Sequence, residues 1–157
     1  MTEQHYSDQE WQALHKEIQK RFRAMAAEVQ LAAPSVQPEY GKTVTKRFPL
    51  FSHVSFPLQT AGASNDIIVG VDIGPENGQW QIDADICEET EGTIYFELPR
   101  TPFSVSSFDE LHERVLAATD ELVARGKPVL LRLFGSSLPV LPSLSGALPE
   151  VARKSNV

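Results

Sequence analysis

One cysteine, Cys87, stands in 157 residues, so no internal disulfide can form and no site built from several thiolates can exist. Positive charge is also scarce. Fourteen Lys and Arg face 21 Asp and Glu, and the formal net charge of −7 argues against nucleic acid or an anionic membrane as the main partner. It permits a cationic one. No run of roughly 18 apolar residues occurs, so no segment reads as a transmembrane helix. The opening stretch, MTEQHYSDQEWQALHKEIQKRF, is charged throughout and lacks the apolar centre of a secretory signal. A reducing cytoplasm is the expected location.

Catalytic signatures are equally thin. His5, His15, His53 and His112 have no H-E-x-x-H-like spacing, and GPENG has too few glycines to cradle phosphate. Gly135-Ser136-Ser137 lacks the frame of a nucleophile elbow. Cys87 has no motif around it and reads as a strand residue that stays reduced. The sequence therefore supplies no catalytic residue, no metal ligand and no cofactor site.

What is present is pattern. Ser7-Asp8-Gln9-Glu10 has the form of a capping box, and Trp11, Leu14, Ile18, Phe22, Met25 and Val29 recur at helical spacing. A helix over about residues 8–31 is predicted, stopped by Pro34 and Pro38. Val54, Phe56 and Leu58 then alternate with polar residues in a strand that Pro49 and Pro57 assign to a sheet edge, and TAGASN reads as a turn. DIIVGVDIG and QWQIDADICEE flank Pro75-Glu76-Asn77-Gly78, read as a four-residue hairpin loop. Ile73 then opposes Trp80, Val71 opposes Ile82, Val69 opposes Ala84 and Ile67 opposes Ile86, so one face is apolar throughout. Thr90-Glu91-Gly92 turns the chain again, setting Ile86 against Phe96 and Ala84 against Leu98.

Ser107-x-x-Glu110 resembles a second capping box, opening a helix through Phe108, Leu111, Val115, Leu122 and Val123 to a C-cap at Gly126. KPVLLRLFG is then expected to be a final strand, buried on both faces or in an oligomer. The expected fold is a single α+β domain over 1–135: an antiparallel meander of four to five strands with both helices on one face. That face would carry Ile67, Val69, Val71, Trp80, Ile82, Ile86, Ile94, Phe96 and Leu98. Residues 136–157 form a Pro/Ser-rich C-terminal tail.

The same strand phase collects carboxylates on the other face: Asp72, Asp83, Asp85, Glu89 and Glu97, with Tyr95 beside them. Asp85 falls opposite Glu97, and like charges paired across strands cost up to ~1 kcal/mol. Three readings follow. The face is merely solvated, it meets a basic protein surface, or Asp83 and Asp85 hold a divalent metal as an Asp-x-Asp strand can. The metal reading lacks the strand–turn–helix and basic cluster that accompany such sites.

The stretches NDIIVGVDIGPENGQWQIDADICEETEGTIYFELP and SFDELHERVLAATDEL, roughly residues 65–122, give the chain an organisation that resembles bacterial immunity proteins of polymorphic toxin systems. The resemblance implies a non-enzymatic inhibitor that binds a cognate toxin domain through an acidic surface. Asp72, Asp83, Asp85, Glu89, Tyr95 and Glu97 are the candidate contacts. A structural subunit or homo-oligomeric scaffold built on PVLLRLF and the tail is the alternative, and a metal-dependent enzyme using Asp83 and Asp85 the third.

Overall fold

The computed structural model describes residues 6–41, 50–60 and 63–135. The chain runs α1 (Asp8–Ala32), β1 (Glu39–Tyr40), β2 (Leu50–Thr60), β3 (Ala63–Glu76), β4 (Gln79–Glu88), β5 (Ile94–Glu97) and α2 (Phe108–Gly135). The strands form one antiparallel sheet in the order β1-β2-β3-β4-β5. Both helices lie on one side of it, as expected for the α+β class.

Helix α1 begins with the capping box. The Glu10 amide donates to Ser7 Oγ at 3.2 Å, and the Ser7 amide donates to Glu10 Oε1 at 2.9 Å. Its stripe of Trp11, Leu14, Ile18, Phe22, Met25 and Val29 is buried, as the spacing requires. One polar side chain of α1 is buried in this interface. Gln19 donates to Ser52 Oγ at 2.8 Å, giving that buried hydroxyl a partner, and to the His53 carbonyl at 3.1 Å, which also accepts from the Gly41 amide at 3.0 Å.

The expected final strand is overturned. Lys127–Gly135 continues α2, and Gly126 lies inside the helix instead of capping it. The buried stripe Phe108, Leu111, Val115, Thr119, Leu122 extends without a break to Leu130 and Phe134. Pro128 costs the helix one backbone bond, but it faces solvent, and burial of Leu130 and Phe134 offsets that loss. Gly126 is small for a different reason: a Cβ there would fall 2.7 Å from Ile86 Cδ1, so the glycine lets α2 close onto β4.

Helix α2 starts on a modified cap. Ser107 Oγ accepts from the Glu110 amide at 3.2 Å, but Glu110 returns to Ser106, accepting from its amide and its hydroxyl, both at 2.9 Å. The two helices are parallel and in step. Arg21 pairs with Asp120 at 2.7 Å and Lys127 with Glu28 at 2.8 Å, each across 99 residues of sequence. At the end where both helices begin, Tyr6, Trp11, Trp80 and Phe108 form an aromatic cluster, with the Trp11 and Phe108 rings 5.3 Å apart, edge to face.

The first hairpin differs from expectation by two residues. Glu76 pairs with Gln79, so Ile73 opposes Ile82, Val71 opposes Ala84, Val69 opposes Ile86 and Ile67 opposes Glu88. The turn is the two-residue Asn77-Gly78, with φ of 51° and 80°, the left-handed pair that matches strand twist. Pro75 thereby joins the ladder opposite Trp80. It can do so because both Trp80 backbone groups bond Phe103, at 2.8 and 2.9 Å, and ask nothing of Pro75. A slip of two preserves every side-chain face.

The second hairpin has the expected pairs, Ile86 with Phe96 and Asp85 with Glu97, and Gly92 adopts φ 74°. A register irregularity next to Cys87 then sets Ile94 against Cys87. Ile94, expected in the core, is 49% exposed. Strand β2 is not the sheet edge, since β1 pairs with Val54 and Ser55. Part of the expected turn belongs to β3, from Ala63. Pro49, Ala61, Gly62 and the tail 136–157 lie outside the described residues. Among the described residues, no helix is long and apolar enough to cross a membrane.

Candidate functional site

Strand alternation fixes which side chains leave the core. The buried set Leu50, Val54, Phe56, Ile67, Val69, Val71, Ile73, Trp80, Ala84 and Ile86 faces the helices. Phe51, His53, Ile68, Gly70, Asp72, Gln81, Asp83, Asp85, Cys87 and Glu97 therefore share the opposite face, which neither helix covers.

Four carboxylates meet there as two cross-strand pairs. Asp72 stands directly opposite Asp83, and Asp85 directly opposite Glu97, with Gly70 on the other flank of Asp85. Such pairs need a counter-charge or water. Arg100, just past β5, supplies part of it: its guanidinium lies 3.3 Å from Asp83 Oδ1 and 3.5 Å from Glu97 Oε2. Gln81 Nε2 also donates to Asp83 Oδ1, at 3.1 Å. Arg100 and Glu97 are each about half exposed, so this bridge is open to exchange with water or another cation.

Asp85 is the most constrained member. Burial raises its pKa above the ordinary carboxylate value, and the charges of Asp83 and Glu97 push in the same direction against Arg100. Its ionised form is thus disfavoured in the fold relative to the unfolded chain. Stability should rise as pH falls through the folded pKa toward the unfolded one. Asp85→Asn is expected to be more stable than the parent at pH 7, by a few tenths to ~1 kcal/mol for relief of the opposed pair. Urea unfolding should show that advantage shrinking toward about pH 4. An unchanged difference across that range would refute the assignment.

The remaining candidates divide. Glu89 is exposed at the end of β4, where its amide donates to the Asp66 carbonyl, and its charge reaches both His53 and Cys87. Tyr95 is not with the carboxylates. At the register irregularity it packs against the margin of the core and hydrogen-bonds Glu88, a buried residue on the helix side, and burial raises its pKa.

Three residues of this face escaped the sequence reading: Arg100, Phe51 and His53. The spacing Glu97-x-x-Arg100 directly after a strand was the available signal for the first. Phe51 and His53 stack at 4.9 Å. The Phe51 ring lies over Gly70, and the imidazole lies where a Gly41 side chain would be, which shows why both positions are glycine. Burial lowers the His53 pKa, with Glu89 opposing, so the imidazolium form is disfavoured there. The Cys87 thiol is raised by burial, then by Asp85 and Glu89, and is no ready nucleophile.

No protein family, curated protein or solved structure matches this chain. Among the described residues, no group of three or more His, Cys, Asp or Glu is disposed to hold a metal ion. What the face offers is two opposed carboxylate pairs on a five-stranded sheet, with the half-exposed Arg100 between them and a ring pair at its side.

Proposed function

We propose that the chain is a non-enzymatic protein-binding module, an inhibitor of the immunity-protein type, whose open sheet face docks on a basic partner. The observation that carries this is the pairing of Asp72 with Asp83 and of Asp85 with Glu97 on a face that neither α1 nor α2 shields. Opposed carboxylates cost the free protein stability, and a partner's Lys or Arg would relieve that cost on binding. Arg100 acts as an internal stand-in for that partner cation, and binding would displace it or build on it. The half-buried Phe51, His53 and Ile68 give the same face apolar area, which a purely solvated surface does not need.

The oligomeric scaffold drew on residues 128–134 as a strand and on the tail. Residues 128–134 are helix, with Leu130 and Phe134 buried inside this chain, and the tail lies outside the described residues, so no observation favours it.

The test is capture by the tagged chain from a lysate of its source organism. Asp83→Lys with Asp85→Lys should remain folded by circular dichroism and lose the basic proteins that the parent retains. Arg100→Ala should retain them, and more tightly. Capture by the parent should weaken steeply with added salt. Recovery of the same proteins by the lysine double variant would eliminate the acidic face as the binding surface.

A further inference from the structure

On the helix side of the sheet, where α2 passes β4 and the segment after β5, lies a cleft of about 400 Å³. That is within the ~300–1,000 Å³ of small-molecule sites. Its floor is apolar, formed by Ile82, Ala84 and Leu98, and it stays hollow because, between Arg114 and the paired Glu121 and Arg125, α2 lines it only with the short side chains of Ala117 and Ala118.

Two arginines of α2 line it, eleven residues and so ~16 Å apart along the helix. Each guanidinium is held by an aromatic face. Arg114 lies 4.2 Å from the Phe103 ring centroid, and Arg125 lies 5.1 Å from that of Phe96. Their electrostatic positions differ. Arg125 is already paired, with Glu121 at 2.8 Å. Arg114 has no ion pair among the described residues. Glu110, one turn earlier, feels its charge but is engaged with the amide and hydroxyl of Ser106.

We propose that this cleft binds a single apolar chain ending in a carboxylate, with the carboxylate on Arg114 and the chain over Ala118, Ala84 and Leu98 toward Arg125. A guanidinium presents parallel donors that match a carboxylate's two oxygens, and the phenyl face beneath it keeps those donors aimed outward. The apolar floor supplies affinity by burying methylenes, while a neutral or cationic head would leave Arg114 unanswered. The site is separate from the acidic face and does not depend on the function proposed for it.

The experiment is titration calorimetry of the full chain with decanoate, decanol and acetate. Decanoate should bind in the micromolar range, with decanol and acetate at least about tenfold weaker, since each lacks half of the recognition. Arg114→Gln should weaken decanoate about tenfold or more. Ala118→Phe should abolish binding by filling the hollow. If that variant loses its circular dichroism signal, the more exposed Ala117→Phe takes its place. Asp83→Lys with Asp85→Lys should bind decanoate as the parent does. No binding of decanoate, equal binding of decanol, or indifference to Arg114→Gln would each overturn the proposal. So would sedimentation of the chain with anionic vesicles when dissolved decanoate does not bind, because the surface would then belong to a membrane.

Discussion

Trp11→Ala is expected to remove about 3–5 kcal/mol of folding stability, the range for emptying a buried aromatic site. Trp11 is almost fully buried and meets Tyr6, Trp80 and Phe108 within 6 Å, so one indole joins the start of α1 to β4 and to the start of α2. Collapse around the hole is limited, because its ring neighbours are held in β4, in α2 and in the segment before α1. Total stability in a domain of this size is only about 5–15 kcal/mol, so the variant should be partly unfolded at 37 °C. Urea midpoints measured by far-ultraviolet circular dichroism decide the matter. Trp11→Phe should recover a substantial part of the loss, since it restores a ring for Phe108 to pack on. A midpoint for Trp11→Ala close to that of the parent would mean that the aromatic cluster does not hold the elements together.

Leu130→Ala should cost about 2–5 kcal/mol in the monomer, and it separates two pictures of residues 127–135. In the helix, Leu130 is fully buried, four residues after Gly126 and four before Phe134, whose ring lies 5.6 Å from that of Phe56. Truncating it opens a cavity beneath the last turns of α2. Were the segment an oligomer strand, the same change would alter association and leave monomer stability almost untouched. Unfolding and light scattering on one sample therefore distinguish them. A normal urea midpoint with a reduced molecular mass would contradict the helix.

Much of this architecture was legible because the strongest signals are periodic. The α1 stripe, its Ser7 cap and the two sheet faces follow from spacing alone. Even the misplaced turn did no harm, since Asn77-Gly78 and the four-residue alternative differ by two positions and a strand repeats every two. Asn-Gly was nevertheless the better turn signal, and Pro75 obscured it by resembling a strand breaker.

Other features were not readable locally. Gly126 followed by Pro128 carries the marks of a helix stop, and only burial of Leu130 and Phe134 against the sheet overrides them. The irregularity beside Cys87, which exposes Ile94 and turns Tyr95 to Glu88, has no counterpart in residue type. Asp83, Asp85 and Glu97 were placed correctly by phase. Arg100, which moderates their charge, lies beyond the strand where alternation no longer applies.

The in-step helix pair has a consequence for biosynthesis. Arg21 and Glu28 wait for Asp120 and Lys127, so α1 leaves the ribosome 99 residues ahead of the neighbour that shields its flank. Its apolar stripe can meet β2 early, but it is fully covered only after the meander has been made and α2 has followed. Folding is therefore a late event dominated by distant contacts, slower than a helical bundle of equal length, and a nascent chain halted before α2 would still have a sticky first helix.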